Sequence, residues 1–212
     1  MPEITTILLF ALGALAAYLI GGFSFALGIS RAHNVDLYSV GSKNPGGTNV
    51  LRTMGTRVGI LVMLLDMAKG AVGVLACWAV ASKFSFAYDP WALCLGALGV
   101  VAGHNWPVYH KFRGGKGAAA TFGALFIVCW PIGCITQSTM IFVLTLSKKM
   151  SLSVISGMLC GFASSFFLCE SWIVVAFTGL LTVILLVQFR DNIRRLLRGQ
   201  EAPVFGKKAG TH

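Results

Sequence analysis

Charge is what this sequence lacks. Asp and Glu together number 7 in 212 residues, and all charged residues make up 11%, where a soluble domain carries about 25%. That deficit excludes a soluble globular domain and a disordered chain, since both rely on charge for solvation. The 6 cysteines (Cys77, Cys94, Cys129, Cys134, Cys160 and Cys169) include no C-x-x-C pair and have no His at ligand spacing. They lie scattered in apolar stretches, which excludes a disulfide-stapled secreted domain and leaves small buried hydrophobes. Only proximity in the chain speaks for a bridge between Cys129 and Cys134. Asp36, Asp66 and Asp191 stand apart, so no Asp-rich Mg²⁺ motif can be drawn, and no metal or other cofactor is expected.

What the chain has instead is apolar length. Hydrophobic residues make up 56% of it and glycine contributes 25 positions, the composition of an all-α polytopic membrane protein. Apolar runs occupy roughly residues 4–30, 57–82, 91–103, 118–147, 151–169 and 171–189, against the ~20 residues that one span needs. The first run has no basic n-region and reads as a span rather than a cleavable leader. The run 118–147 is either one tilted helix or a hairpin of short helices folded at Trp130-Pro131, where proline permits a break.

Charge decides between them. Arg31, Lys43, Arg52 and Arg57 place the first loop in the cytoplasm by the positive-inside rule. A hairpin then puts Lys148, Lys149, Arg190, Arg194, Arg195, Arg198, Lys207 and Lys208 on that same side, whereas a single span puts the tail outside. The sequence therefore predicts seven transmembrane segments, N-terminus out and C-terminus cytoplasmic, forming one integral membrane domain over residues 1–212. Of the 17 Lys and Arg residues only Lys83 is then external, and Lys69 lies within a span. Most of the net charge of +10 is a topology signal, and no nucleic-acid partner is implied.

Polar, glycine-punctuated segments at residues 36–56, 104–117 and 188–201 all fall on the predicted cytoplasmic side. The first contains Gly41-Ser42-Lys43-Asn44-Pro45-Gly46-Gly47-Thr48-Asn49-Val50-Leu51-Arg52, a turn whose backbone amides can face one anion. Ser42, Asn44, Thr48 and Asn49 add hydrogen-bonding side chains, Thr48 or Asn49 is placed to cap the next helix, and Arg52 offers a planar fork for phosphate. The second runs from Gly103-His104-Asn105-Trp106-Pro107 to Arg113-Gly114-Gly115-Lys116-Gly117. A glycine-rich turn that opens a helix presents free amides and a positive dipole end to an anion, and Lys116 adds full charge. It is not a Walker A loop, which needs Ser or Thr after the Lys and a strand before it. In the second span Asp66 and Lys69 stand at i and i+3. A lone charge at the bilayer centre costs at least ~2.5–3.5 kcal/mol, so an ion pair facing the bundle is the natural reading.

These segments together resemble the bacterial membrane glycerol-3-phosphate acyltransferases that use acyl phosphate as donor. The family pattern Gly-Ser-x-Asn-Pro-Gly-x-Thr-Asn-x-x-Arg is met from Gly41 to Arg52. The Gly-His, Pro and Gly-Gly-Lys-Gly pattern is met at Gly103-His104, Pro107 and Arg113 to Gly117. The third pattern is met at Arg190-Asp191-Asn192-Ile193, Arg195-Leu196 and Glu201. The family carries His where this chain has Phe189. The resemblance implies seven membrane helices in a bacterial inner membrane, with the active site facing the cytoplasm. It also implies transfer of a fatty acyl group to the 1-hydroxyl of glycerol 3-phosphate, giving lysophosphatidic acid and phosphate, the first step of phospholipid biosynthesis. Both substrates and the membrane lipids are the expected partners.

On these patterns the candidate catalytic residues are Ser42, Arg52, His104, Lys116 and Asn192. The candidate substrate-binding residues are Asn44, Gly46, Gly47, Thr48, Asn49, Gly114, Gly115, Gly117, Ser151 and Ser153, with the Gly114–Gly117 amides and Lys116 holding phosphate. The sequence offers no G-x-S-x-G elbow and no His-x4-Asp pair, since Tyr109 follows His104 at the Asp position. An activated acyl phosphate lessens the need for either, and direct transfer without an acyl-enzyme follows. A phosphate or organophosphate transporter is the alternative. It expects a midplane site between internally repeated halves, and no repeat is visible.

Overall fold

The computed structural model describes residues 2–83 and 88–204, and every described regular element is helical. The helices are α1 (Pro2–Gly22), α2 (Phe25–Ala32), α3 (Gly47–Met54), α4 (Thr56–Ala81), α5 (Pro90–Asn105), α6 (Ala118–Val128), α7 (Trp130–Ser147), α8 (Met150–Leu168), α9 (Trp172–Gln188) and α10 (Arg190–Leu197). Lys207 and Lys208 of the predicted basic tail lie outside the described residues.

The first apolar run is broken rather than continuous. The backbone leaves the helix at Phe23, and the Ser24 side chain accepts from the Leu27 amide to start α2. The break frees the Phe23 carbonyl, which accepts a hydrogen bond of 2.6 Å from Lys69 Nζ. Lys69 also pairs with Asp66 at 3.0 Å. The buried charges of the second span thus have a structural role, because they satisfy a backbone group that would otherwise be orphaned in an apolar environment. The run 118–147 divides into α6 and α7 at Cys129, whose φ of −157° and ψ of 96° interrupt the helix. Pro131 sits in the first turn of α7, where its missing N–H costs nothing.

Small residues set the packing. A Cβ at Gly103 of α5 would stand 2.0 Å from the Tyr18 carbonyl of α1, and one at Gly123 of α6 would stand 1.9 Å from the Met67 carbonyl of α4. Glycine lets these backbones approach as closely as membrane helices do when no solvent drives them together. Gly123→Ala forces α6 away from α4 at a cost of ~1–3 kcal/mol, and we expect a lower unfolding midpoint in detergent. Large apolar side chains such as Leu8, Leu12, Leu64 and Trp172 are more than half exposed on the outer surface, as lipid-facing residues are. By length and hydropathy, Glu3–Ala32, Thr56–Ala81, Trp130–Ser147 and Met150–Leu168 can each cross a membrane, and α9 with α10 forms a further pair bent by 65°. All cysteines are free. Cys134 points outward, and the sulfur that approaches Cys129 is that of Cys169, so the Cys129–Cys134 bridge is not formed.

Candidate active site

The loop before α3 owes its shape to one buried amide. Asn49 accepts the Ser42 amide at 2.9 Å and donates to the carbonyls of Leu37 and Val40 at 3.2 and 3.1 Å. Gly41 has φ of 58°, and a Cβ there would lie 2.2 Å from Asn49 Oδ1, so only glycine fits this turn. Neither Thr48 nor Asn49 caps α3. Gly46 holds that position without a side-chain bond, because the Asn49 side chain is already committed to the loop. The helix carries Arg52, whose Nη2 donates to the Ala202 carbonyl at 2.8 Å and whose Nε is buried without a partner.

The second loop is clamped from both sides. Tyr38 donates to the Arg113 carbonyl at 2.7 Å, and Tyr18 donates to the Trp106 carbonyl at the same distance. The amides of Gly114 and Gly115 are not free for a ligand. They donate to the carbonyls of Asn105 and His104 at 3.2 and 3.1 Å. A Cβ at Gly115 would meet the His104 ring at 2.2 Å. Glycine serves close packing beneath His104 at these positions, and the expected phosphate cradle of Gly114 and Gly115 amides is corrected accordingly. Gly117, with φ of 78°, precedes α6 and lines the site.

Lys116 projects from this loop onto α10. Its ammonium donates to Asn192 Oδ1 and lies 5.0 Å from the centre of the Phe189 ring, a cation–π contact. Asn192 Nδ2 donates to Glu201 Oε1 at 2.8 Å, as does the Ser151 hydroxyl, and Arg195 Nε reaches Glu201 Oε2 at 2.7 Å. A carboxylate only accepts. Glu201 therefore orients the Asn192 amide with its oxygen toward Lys116. Burial alone would raise the Glu201 carboxyl, yet the bonds from Arg195, Ser151 and Asn192 hold it below its ordinary range. Burial and then the Arg195 guanidinium push the Lys116 ammonium down to about 8, opposed by Glu201 and Asp191.

Ser42, Arg52, His104, Lys116 and Asn192 face one cavity of about 420 Å³, together with Asn44, Gly46, Gly47, Thr48, Asn49, Gly117 and Ser151. Gly114, Gly115 and Ser153 are not part of its lining. The Ser153 hydroxyl donates back to the Lys149 carbonyl. The cavity lining joins the polar loop residues to apolar side chains of two helices, Met63 and Leu64 of α4 and Met140 and Ile141 of α7. Leu64 and Ile141 are at least half exposed, so the cavity reaches the outer surface of the helix bundle at these residues. His104 sits in its wall with Nδ1 3.8 Å from Asp66.

The sequence model of the family described as glycerol-3-phosphate acyltransferase matches residues 11–199. The chain belongs to this family. A relative from Ralstonia pickettii named glycerol-3-phosphate acyltransferase is 37% identical over 212 residues, covering 98% of each chain. One of the same name from Rhodospirillum rubrum is 34% identical over 213 residues, again covering 98% of each. Among solved structures, PlsY (YgiH), an integral membrane glycerol 3-phosphate acyltransferase, superposes in its glycerol 3-phosphate form with a TM-score of 0.82. It is 30% identical, and the match covers 95% of this chain and 96% of that one. Its lysophosphatidic acid form gives a TM-score of 0.81 at 29% identity, covering 93% and 95%. This chain is thus an all-helical, multi-pass membrane protein.

Sequence reasoning placed Arg195 and Glu201 in the third pattern but gave neither a role in the site. The signal that could have found both is charge sign: Glu201 is an acidic residue in a strongly basic tail. Gln137 was also missed. It is a polar residue on the cavity side of α7, with Oε1 buried and unpartnered.

Proposed function

We propose that this protein transfers a fatty acyl group from acyl phosphate to the 1-hydroxyl of glycerol 3-phosphate, releasing lysophosphatidic acid and phosphate. The observation that carries this reading is the cavity itself: Arg52, Lys116 and Arg195 share its lining with apolar side chains, of which Leu64 and Ile141 reach the outer surface. Two anionic substrates and one long tail require that combination. Lys116 and Asn192 hold one phosphate, while Arg52 and Ser42 hold the other, with Asn44, Gly46, Gly47 and Thr48 shaping the loop around it. The substrate hydroxyl attacks the acyl carbonyl carbon, a carbon–oxygen bond forms, and the bond from acyl carbon to phosphate oxygen breaks. The departing phosphate takes the electron pair, and a substrate phosphate oxygen takes the hydroxyl proton. The protein supplies alignment and fixed positive charge for the oxygens that become more anionic.

We place the site at the cytoplasmic face of the inner membrane, with seven segments across the bilayer and the N-terminus outside. Lys83 is then the external cation among the described residues, and residues 1–212 form one domain. A transporter is not favoured, because the polar groups gather at helix ends on one face and not at a midplane between repeats. The test is direct. Purified protein given glycerol 3-phosphate and palmitoyl phosphate should release phosphate and lysophosphatidic acid in equal amounts. No product from that pair, with turnover from an acyl thioester instead, refutes the donor. Because burial and the Arg195 guanidinium push the Lys116 ammonium down to about 8, the rate should decline as pH rises through that region.

A further inference from the structure

The geometry points to Cys129 and Cys169 as a disulfide-forming pair that staples the α6–α7 turn to the α8–α9 turn, on the face opposite the cationic site. Their sulfurs are 3.2 Å apart across 40 residues of sequence. Cys129 is the residue at which α6 gives way to α7, and Cys169 caps the C-terminus of α8. Both are half-buried and both are free thiols. The other cysteines differ: Cys77 and Cys94 are buried within helices, while Cys134 and Cys160 are exposed on outward helix faces.

Helix direction fixes the side of the molecule. Helix α6 begins next to Lys116 and ends at Val128, about 16 Å away along its axis. Helix α8 begins beside Ser151, which bonds Glu201, and ends at Leu168. The pair therefore lies at the far end of both helices, near Tyr88 and Glu170. On the topology proposed above this is the extracytoplasmic face, where disulfides form and persist.

The step balances as thiol–disulfide exchange. The thiolate of one cysteine attacks a small-molecule or protein disulfide and expels one thiolate. The other cysteine then attacks the mixed disulfide, closing the protein bond and expelling the second thiolate, and the two leaving thiolates take up the two protons. The protein pair is oxidised and the donor disulfide reduced. Burial, together with the Cys129 sulfur, pushes the Cys169 thiol up to about 12. The exchange is therefore slow at neutral pH and faster in alkaline buffer.

Purified protein in detergent, incubated with oxidised glutathione at alkaline pH, is alkylated and mapped by peptide mass spectrometry. The expected result is a single linkage, Cys129 to Cys169, and an unfolding midpoint about 5 °C higher than that of protein kept in dithiothreitol. Cys129→Ser and Cys169→Ser each abolish the linkage and the rise. The wild-type comparison of oxidised with reduced protein decides the matter even where a variant fails to fold. Full alkylation of both residues after oxidation, or linkages spread among other cysteines, overturns the pairing. A linkage without a rise in midpoint overturns the staple.

Discussion

Lys116→Ala should lower turnover by about 10²–10³-fold while the protein still elutes from a sizing column as a folded species in detergent. The ammonium is held between a carbonyl oxygen of Asn192 and the face of Phe189, and these contacts aim it into the cavity without neutralising it. Nothing in the helix packing depends on its charge, since the loop that carries it is fixed by backbone bonds from Gly114 and Gly115 and by the Tyr38 clamp. The loss should therefore fall on kcat, where the departing phosphate is stabilised, more than on KM. Lys116→Arg keeps the charge but not the fit, because a planar fork cannot take the place of a compact ammonium over the Phe189 ring. It should recover only part of the rate. Near-wild-type phosphate release from Lys116→Ala would remove the residue from the mechanism.

Glu201→Gln tests the hub behind that lysine. In the wild type the carboxylate accepts from Asn192, Ser151 and Arg195 and is one of the charges that favour the protonated form of Lys116. The others facing this ammonium are Asp191 and Arg195 on α10 and Arg52 on α3. Removing the Glu201 charge leaves Asp191 alone against two guanidinium groups that disfavour protonation, so Lys116 titrates lower. The expected result is a loss of about 10-fold at neutral pH and an alkaline limb of the rate profile displaced to lower pH. A purely structural role would lower the rate equally at every pH. Glu201 lies below its ordinary range when folded, so it stabilises the fold above the unfolded carboxylate pKa. That contribution disappears as pH falls through the folded pKa, and in Glu201→Gln this acid-side loss should be absent.

Much of the architecture was legible because hydropathy and charge are strong signals in a membrane chain. The sequence correctly divided residues 118–147 into two helices, with proline and the parity of the basic loops as the grounds. The distant patterns around Arg52, Lys116 and Asn192 do meet in one cavity. What escaped was decided by packing. The break at Phe23 follows Gly21-Gly22 in a chain with 25 glycines, where glycine alone is a weak signal, and the carbonyl it frees is satisfied by Lys69 from another helix. The roles of Gly114 and Gly115 look alike in sequence whether their amides face a ligand or a carbonyl, and only the position of His104 distinguishes the cases. The lateral opening belongs to side chains on helices that are far apart in the chain, so no local pattern could announce it.

That opening gives the two products of the proposed reaction different exits. Phosphate leaves through the loop end toward water, while the acylated product already has its tail in the bilayer and needs only to slide out between Leu64 and Ile141. The enzyme is then never at equilibrium with a dissolved lipid product. What governs its reversal is the surface density of lysolipid in the leaflet together with dissolved phosphate, and detergent-to-protein ratio becomes a kinetic variable in any assay of it.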